Sequence, residues 1–301
     1  MTNNISYRIR VPLNERCLKT WLWEGETDSS FALRIEAYRG LLALFGNNPH
    51  KKVSHRLDEE LSYVIRHGLS DYVLLMKTIS DVARDGGIAR GAGYPAYCCL
   101  MLHYCLGISE INPLDFGLEK ECVYREEMTT HYLGGLSLEP GGFERLLACL
   151  EDRFGKGLFS RIPDEDKSLP IGTSLFYVRE SELVSHKMDG TDYSAASRDR
   201  QFTGQFKGKC CWESYIRRLK KDGHLSDREI SKFYYAVSKI WIKKFPEIKT
   251  MLFEKGCEGG TSEEELSRLW DSIMKHKAVL PWKAWFIPEY LEQWMTKIIN
   301  E

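Results

Sequence analysis

The sequence predicts an α+β fold, in which a small mixed sheet is flanked by helices and followed by a mainly helical C-terminal region. Short runs that alternate between apolar and polar residues lie between longer stretches whose apolar residues recur with the helical period. After about residue 205, only the helical pattern occurs. With 301 residues, of which 43% are hydrophobic, the chain can bury a sizeable core in one or two domains.

Residues 1–55 are predicted to form an N-terminal extension. The stretch from Ile5 to Val11 alternates in the manner of a half-exposed strand. Helical sequence follows around Phe31 to Phe45, and Gly46 to Pro49 provide the residues that end a helix.

Residues 56–204 are predicted to form the α+β domain. An apolar stripe from Leu57 to Ile65 predicts one helix, and Ser70 is the expected N-cap of a second helix that stops at Gly86. Pro95 suits the first position of a third helix that runs to Leu106. Strands are predicted at residues 136–138, 158–162 and 174–178, with a helix at 143–154.

Residues 205–301 are predicted to be a helical region with a basic character. The whole chain is close to neutral, since 42 Lys and Arg face 43 Asp and Glu. Between Gln205 and Thr250, however, there are 12 basic and 5 acidic residues, whereas Ser109 to Asp166 holds 13 acidic and 6 basic residues. Any attraction of an anionic partner is therefore expected to be local.

The N-terminal residues lack the pattern of a signal peptide, and no apolar run approaches the roughly 20 residues of a membrane span. We therefore expect a cytoplasmic protein with no membrane partner. Nine cysteines, an odd number without a CxxC pair, favour reduced thiols. Cys99 and His103 have a spacing that could bind one metal ion, but two ligands do not make a site, and no cofactor is expected.

Several sequence segments, in a fixed order, carry a family resemblance. The residues RLDEEL from Arg56, IRHG from Ile65 and DGGI from Asp85 precede a glycine-containing loop. The segment LGISEINPLDFGL, from Leu106, follows it. This order resembles the palm region of the alpha subunit of bacterial DNA polymerase III, the C family of replicative polymerases. The resemblance covers about a third of the chain and implies a nucleotidyltransferase-like palm fold.

The loop between these segments resembles the family's nucleotide-binding loop but lacks most of its phosphate ligands. That family binds the triphosphate with a GPGRGSGAGS-type sequence, using backbone N–H groups, hydroxyls and a helix N-terminus. Gly91 and Gly93 keep two of the glycines, whereas Tyr94 takes the place of the arginine and Pro95 removes one N–H donor. The loop is therefore interpreted as vestigial. Arg90 is either a substitute charge for phosphate or a solvated surface side chain.

The resemblance also implies a strand that carries paired carboxylates for two magnesium ions, the family's PDIDID segment. The corresponding residues here are LGGLSLEP from Leu133, in which Ser137 and Glu139 are expected to share a face. Glu139 is then the only acid on that face, which makes it a weak metal candidate. The family's third acid has no counterpart after Val178.

A second candidate site lies in the basic segment and would bind nucleic acid, because aromatic rings stack on bases and basic side chains contact phosphates. The alternative is an amphipathic helical region, in which Phe233, Val237 and Trp241 form the core face and Lys239, Lys243 and Lys244 the solvated face. The nucleic-acid candidates are Lys207, Lys209, Trp212, Tyr215, Arg217, Arg218, Lys220 and Lys221.

Three functions remain open on the sequence. The first is a catalytically degenerate relative of the polymerase III alpha palm that binds DNA, RNA or a replication protein and is not an enzyme. The second is a small magnesium-dependent nucleotidyltransferase that has rebuilt its metal site from Glu139 and acids such as Asp189 or Asp192. The third is a protein-interaction module that does not bind nucleic acid.

Overall fold

The computed structural model describes residues 5–10, 28–124, 134–162, 175–186, 193–199, 211–238, 240–277 and 282–300. Within these ranges the chain has an α+β fold, as the sequence predicts: a small mixed sheet with helices around it, and further helices toward the C-terminus. The strands are β1 (Ile5–Arg10), β2 (Gly134–Leu138), β3 (Ser160–Ile162) and β4 (Leu175–Glu180).

The α-helices of the first two thirds of the described chain are α1 (Ser29–Phe45), α2 (Lys51–Arg66), α3 (Ser70–Asp85), α4 (Met101–Cys105), α5 (Gly142–Phe154) and α6 (Ser194–Arg198). Those that follow are α7 (Trp212–Lys221), α8 (Asp227–Ser238), α9 (Phe245–Glu258), α10 (Glu263–His276) and α11 (Ile287–Asn300).

The strands lie in the order β2-β4-β1-β3, and only the pairing of β2 with β4 is parallel. Every described side chain of β2 is buried, which fits its position between β4 and the backbone of Arg90 and Gly91. Helices α1, α2 and α4 pack on one another, and α3 contacts both α5 and β2. These contacts hold the loop after α3 against the edge of the sheet.

The predicted helix from Pro95 to Leu106 is wrong in its first half. A 3₁₀ turn covers Tyr97–Cys99, and the α-helix begins only at Met101. The break occurs at Ala96, whose φ of 70° lies in the left-handed region that a regular helix excludes. Its backbone N–H instead donates to the carbonyl of Ala284 at 2.8 Å. The loop is thereby attached to the segment that leads into α11.

The predicted amphipathic helix that includes both Phe233 and Trp241 is also shorter in the structure. Phe233 and Val237 are buried in α8, as expected, but α8 ends at Ser238 and leaves 48% of the Trp241 side chain exposed. The remaining predicted helices and strands are confirmed, with ends shifted by a few residues.

Candidate functional site

The centre of the candidate site lies where β2 and β4 run side by side. In their parallel register Ser137 is opposite Arg179, and Leu138 is opposite Glu180. The Arg179 Nε donates to the Ser137 Oγ at 3.2 Å, so these two side chains share one face of the sheet. The resemblance to the polymerase palm places the metal-binding carboxylates on β2, but this face carries a hydroxyl next to a guanidinium.

The guanidinium of Arg179 forms a bidentate ion pair with a residue of the C-terminal helix. Its Nη2 lies 2.9 Å and 3.0 Å from the two carboxylate oxygens of Glu292, on α11. Both residues are buried, with 6% and 3% of their surface exposed. Burial raises the pKa of the Glu292 carboxyl to about 7, although Arg179 acts in the opposite direction. The pair therefore joins the sheet to a helix that is distant in sequence.

Gly91 brings the loop into contact with this ion pair. Its N–H donates to the carbonyl of Ser137 at 2.8 Å. A Cβ atom at position 91 would lie only 2.5 Å from the Glu292 Oε1 and 2.8 Å from the Ser137 Cβ. Glycine is thus required here by close packing of loop, strand and helix. Glu292 therefore lies directly against the loop that the resemblance identifies as the nucleotide-binding loop.

Gly93 and Tyr94 complete the packing of the loop against β2. The carbonyl of Gly93 accepts a hydrogen bond from the Ser137 Oγ at 3.2 Å. The Tyr94 ring lies on Gly135, where an added Cβ would be 2.7 Å from the ring carbon Cδ2. Burial raises the pKa of the Tyr94 hydroxyl to about 12. The side chain that replaces the family's arginine is therefore a neutral ring packed on the strand.

Arg90 does not have either of the roles considered from the sequence. Its side chain is 11% exposed, so it is not a solvated surface arginine. The guanidinium donates to the carbonyl of Gly107 at 3.0 Å and to the hydroxyl of Ser80, and lies 3.8 Å from Glu110. Arg90 therefore connects α3 to the turn after α4.

Glu139 is held by other groups, which weakens its case as a magnesium ligand. It follows the last residue of β2, and its Oε1 accepts from the Ala89 N–H at 3.1 Å and from the Arg145 Nη1 at 2.7 Å. Within the described ranges, no three His, Cys, Asp or Glu side chains are grouped so that they could hold a metal ion. Asp189 and Asp192, the acids proposed for a rebuilt site, lie outside the described residues.

The two aromatic residues of the predicted nucleic-acid site are buried, which corrects that prediction. Trp212 is 2% exposed and packs edge-on against Tyr234, with ring centroids 4.9 Å apart. Tyr215 is 5% exposed, and its hydroxyl lies 2.8 Å from the Ser272 Oγ. In this fold neither ring can stack on a base. Lys207 and Lys209 lie outside the described residues.

The basic residues of α7 are mostly engaged in ion pairs with acids of the same molecule. Lys220 Nζ lies 2.6 Å from Glu121 and 3.2 Å from Asp227. The other two pairs are Arg217 with Glu119, at 3.5 Å, and Arg218 with Asp222, at 3.2 Å. Lys221 is exposed. Three of the four basic residues of α7 are therefore in ion pairs, and two of them, Arg217 and Lys220, pair with acids from outside the basic segment.

Sequence reasoning did not identify the two residues that define the centre, Arg179 and Glu292. They are 113 positions apart, and neither belongs to a recognisable motif. Glu180, also missed, accepts a hydrogen bond from the N–H of Phe143 at 2.8 Å and therefore caps α5. Among the described residues, no helix is long and apolar enough to cross a bilayer.

Comparison with known proteins supports the resemblance over the first part of the chain. Residues 32–129 match the family model described as the bacterial DNA polymerase III alpha NTPase domain. The chain is 31% identical over 117 residues to the DNA polymerase III subunit alpha of Chlamydia trachomatis, which is 39% of this chain and 10% of that protein. It is 32% identical over 93 residues to the error-prone DNA polymerase of Ralstonia pickettii, which is 30% of this chain and 8% of that protein.

A third relative is the DNA polymerase III subunit alpha of Thermus aquaticus, with 28% identity over 121 residues, or 40% of this chain and 9% of that protein. The matched part thus spans about a tenth of the length of these relatives. The segment of residues 32–129 is related to the polymerase III alpha NTPase domain, and this relationship connects the chain to DNA polymerases. The match includes the Gly91 loop and ends before β2.

Proposed function

We propose that this protein is a catalytically inactive relative of the polymerase III alpha palm that acts by binding nucleic acid or a replication protein in the cytoplasm. The observation that carries the proposal is the buried ion pair between Arg179 and Glu292, which lies beside Ser137 and Gly91. The proposal is supported by the location of this pair beside β2 and the Gly91 loop, the two segments to which the resemblance assigns the metal-binding carboxylates and the nucleotide phosphates.

Nucleotidyl transfer by such a polymerase requires two magnesium ions held by acidic side chains. On the face formed by β2 and β4, the Ser137 hydroxyl is neutral and the Arg179 guanidinium is positively charged. The carboxylate beside them, Glu292, already accepts hydrogen bonds from Arg179 on both oxygens. A divalent cation at this centre would have to displace Arg179 from Glu292, which opposes metal binding.

The loop is equally unsuited to phosphate. Glu292 lies next to Gly91 and pairs with Arg179, so this pair offers no net positive charge to the phosphates of an incoming nucleotide. Tyr94 is packed on Gly135 and supplies no positive charge. Arg90 is committed to the Gly107 carbonyl. The positions of these three side chains therefore all oppose triphosphate binding, whereas the apolar packing of the domain is retained.

Primer extension tests the proposal directly. Purified protein with a primed template, all four deoxynucleotides, and magnesium or manganese should show no incorporation. Template-dependent incorporation that is lost in Glu139→Gln would contradict the proposal and support a nucleotidyltransferase with a rebuilt metal site. Without incorporation, that enzyme would still be supported by calorimetry if a nucleoside triphosphate bound with magnesium more tightly than about 1 mM.

A variant of the ion pair separates an inactive site from a blocked one. Glu292→Ala removes the carboxylate next to Gly91 but restores no metal ligand. We expect it to remain inactive in the same assay. Incorporation by Glu292→Ala, without incorporation by the unmodified protein, would mean that α11 inhibits a competent site, and the proposal of a lost activity would then be wrong.

A further inference from the structure

An exposed apolar segment connects α8 to α9, on the part of the chain that the family match does not cover. Its exposed side chains are Ile240 at 46%, Trp241 at 48% and Ile242 at 69%. Lys243 and Lys244 follow in a 3₁₀ turn and are exposed as well. We call residues 240–244 the Trp241 tip. Three adjacent large apolar side chains in contact with water are more than the scattered exposure of a usual surface.

The backbone holds the tip in this position at a conformational cost. The Trp241 N–H donates to the carbonyl of Ala236 at 2.9 Å, and the Ile240 N–H donates to that of Val237 at 3.1 Å. These are the two hydrogen bonds of a Schellman motif, which ends α8. Ile240 has a φ of 52°, a left-handed conformation that glycine usually provides. A β-branched residue with this φ is a true outlier, and such strain often marks functional positions.

The Trp241 ring contacts an aromatic side chain of α8. It packs edge-on against Tyr235, with ring centroids 4.9 Å apart. Since about half of the side chain stays exposed, a planar group can approach the rest of the ring. Tyr235 is itself partly buried in α8, so it fixes the orientation of the tryptophan.

Basic side chains are close to Trp241 in the chain. Lys243 and Lys244 belong to the tip and are exposed, and Lys232 on α8 is exposed as well, whereas Lys249 on α9 lies over the rings of Phe253 and Trp270. Glu247 is the neighbouring acid; it pairs with Lys244 at 2.8 Å. The hydrogen bond from Lys244 lowers the pKa of the Glu247 carboxyl, and the charge of Lys232 contributes to the same shift. Lys232 therefore lies near this corner, where positive charge exceeds negative charge.

We infer that the Trp241 tip binds single-stranded nucleic acid, with Trp241 stacking on a base and the surrounding lysines contacting phosphates. A half-exposed aromatic ring among basic side chains is the combination that single-strand-binding proteins use. The bases of a duplex are already stacked on each other and offer no free face to this ring. Ile240 and Ile242, the exposed neighbours of Trp241 in the chain, add apolar surface to the tip. The inference rests on the proposed function and moves its binding surface from α7 to the segment after α8.

Fluorescence anisotropy with labelled oligo(dT), oligo(rU) and a duplex of equal length tests this inference. Trp241→Ala should weaken single-strand binding at least about fivefold, because stacking on one base is worth that much or more. Trp285→Ala is the matched control, since Trp285 is 59% exposed on another segment. It should leave binding unchanged. Trp241→Phe keeps a stacking ring and should restore most of the affinity if the alanine variant is unstable.

The contribution of the lysines is measured by the salt dependence of binding. The double variant Lys243→Ala, Lys244→Ala should reduce the salt slope by about 1.4, because each phosphate contact on a single strand contributes about 0.7. Lys51→Ala with Lys52→Ala removes the same charge from exposed positions on α2 and serves as control. An equal reduction of the salt slope in both double variants would mean that the lysines of the Trp241 tip contribute no more to binding than other surface lysines.

The outcomes distinguish this inference from the proposed function. If the protein binds single strands and Trp241→Ala binds them as tightly as Trp285→Ala does, the inference about the Trp241 tip is wrong. The protein would then still bind nucleic acid, through another surface. If no oligonucleotide binds at low salt, the inference about the Trp241 tip and the nucleic-acid part of the proposed function are both wrong. The proposal that the protein is catalytically inactive would not be affected, because primer extension tests it separately. Binding of unmodified protein to anionic vesicles, but not to oligonucleotides, would assign the tip to a membrane surface instead.

Discussion

Two buried ion pairs of arginine and glutamate differ in their location and in their hydrogen-bond partners. Arg56 and Glu60 are one turn apart on α2, with 2.5 Å between Nε and Oε1, inside the segment that matches the polymerase domain. Arg179 and Glu292 are 113 residues apart and join β4 to α11, outside that segment. Both pairs are almost fully removed from solvent. They differ in what else they bind.

The first pair is part of a dense backbone network. Arg56 Nη2 donates to the carbonyls of Cys99 and Leu118, at 3.0 Å and 3.4 Å, and the other oxygen of Glu60 accepts from the Leu102 N–H at 2.8 Å. It therefore holds the segments before and after α4 on α2. Among the described residues, the side chains of the second pair form further hydrogen bonds with the hydroxyls of Ser137 and Ser181. The first pair thus binds the backbone of three segments, whereas the second joins β4 to α11 through side-chain contacts.

Breaking the first pair should have the largest effect on stability. Arg56→Ala leaves the Glu60 carboxylate buried without its partner and removes the donor to two carbonyls. We expect a loss of about 4 kcal/mol in the free energy of unfolding, measured by urea denaturation. Lys52→Ala, at an exposed position of the same helix, should change it by less than about 0.5 kcal/mol. A loss below about 1 kcal/mol for Arg56→Ala would contradict the structural role of the pair.

Breaking the second pair should cost less and should be reversible by apolar replacement. Arg179→Met leaves Glu292 buried and unpaired, with an expected loss of about 3 kcal/mol. Arg179→Met combined with Glu292→Leu should recover most of it, because no buried charge is left. Arg145→Met breaks the half-exposed pair with Glu139 and should cost at most about 1 kcal/mol. If the double variant is as unstable as the sum of the single ones, the pair is not coupled as the structure indicates.

The pH dependence of stability should also report on the second pair. The pKa of Glu292 is about 7 in the fold, above its ordinary value of 4.5, so the stabilisation is present below pH 4.5 and is lost as the pH rises through 7. Relative to Glu292→Gln, the unmodified protein should lose about 3 kcal/mol across this window. Burial lowers the pKa of His103 to about 3, which has the opposite effect, but it cancels when the two proteins are compared.

Urea midpoints at five or six pH values suffice for this measurement. Glu289→Gln, which removes a charge from a partly exposed position of the same helix, is the control. A constant difference between the unmodified protein and Glu292→Gln would mean that Glu292 does not titrate in this range. The pair would then be a permanent charge pair, and α11 would be held equally at all pH values.

The sequence predicts those parts of the molecule that depend on local patterns. Alternation of apolar and polar residues identifies β1, and helical periodicity identifies α2 and α3. Both patterns arise because one face of the element is buried, and they can be read within a short stretch of sequence. The resemblance carried by the segments from Arg56 to Leu118 falls within the matched range of 32–129. That β2, with the sequence GGLSL, carries no acidic side chain can be read from the sequence as well, since this needs only the residue types.

What the sequence does not reveal are long-range pairs and unexpected backbone angles. No pattern connects Arg179 with Glu292, because their contact depends on where α11 packs. The predicted helices at Pro95 and at Trp241 fail for one shared reason. Ala96 and Ile240 adopt positive φ, of 70° and 52°, where no glycine signals a break. The exposure of Trp241 follows directly from the second of these angles.

The smallest expected change in stability comes from a substitution at Ile240, and it distinguishes a structural role of this residue from a binding role. Ile240→Gly should raise the free energy of unfolding by about 1 kcal/mol, since glycine adopts the φ of 52° without strain. Ser238→Gly, in the last turn of α8, should instead lower it by about 0.5 to 1 kcal/mol. If Ile240→Gly is stabilised but binds single strands more weakly, the isoleucine is retained for binding at the expense of stability. A loss of stability in Ile240→Gly would show that the side chain of Ile240 contributes more to the fold than its left-handed backbone costs, and the strain argument for the Trp241 tip would fail.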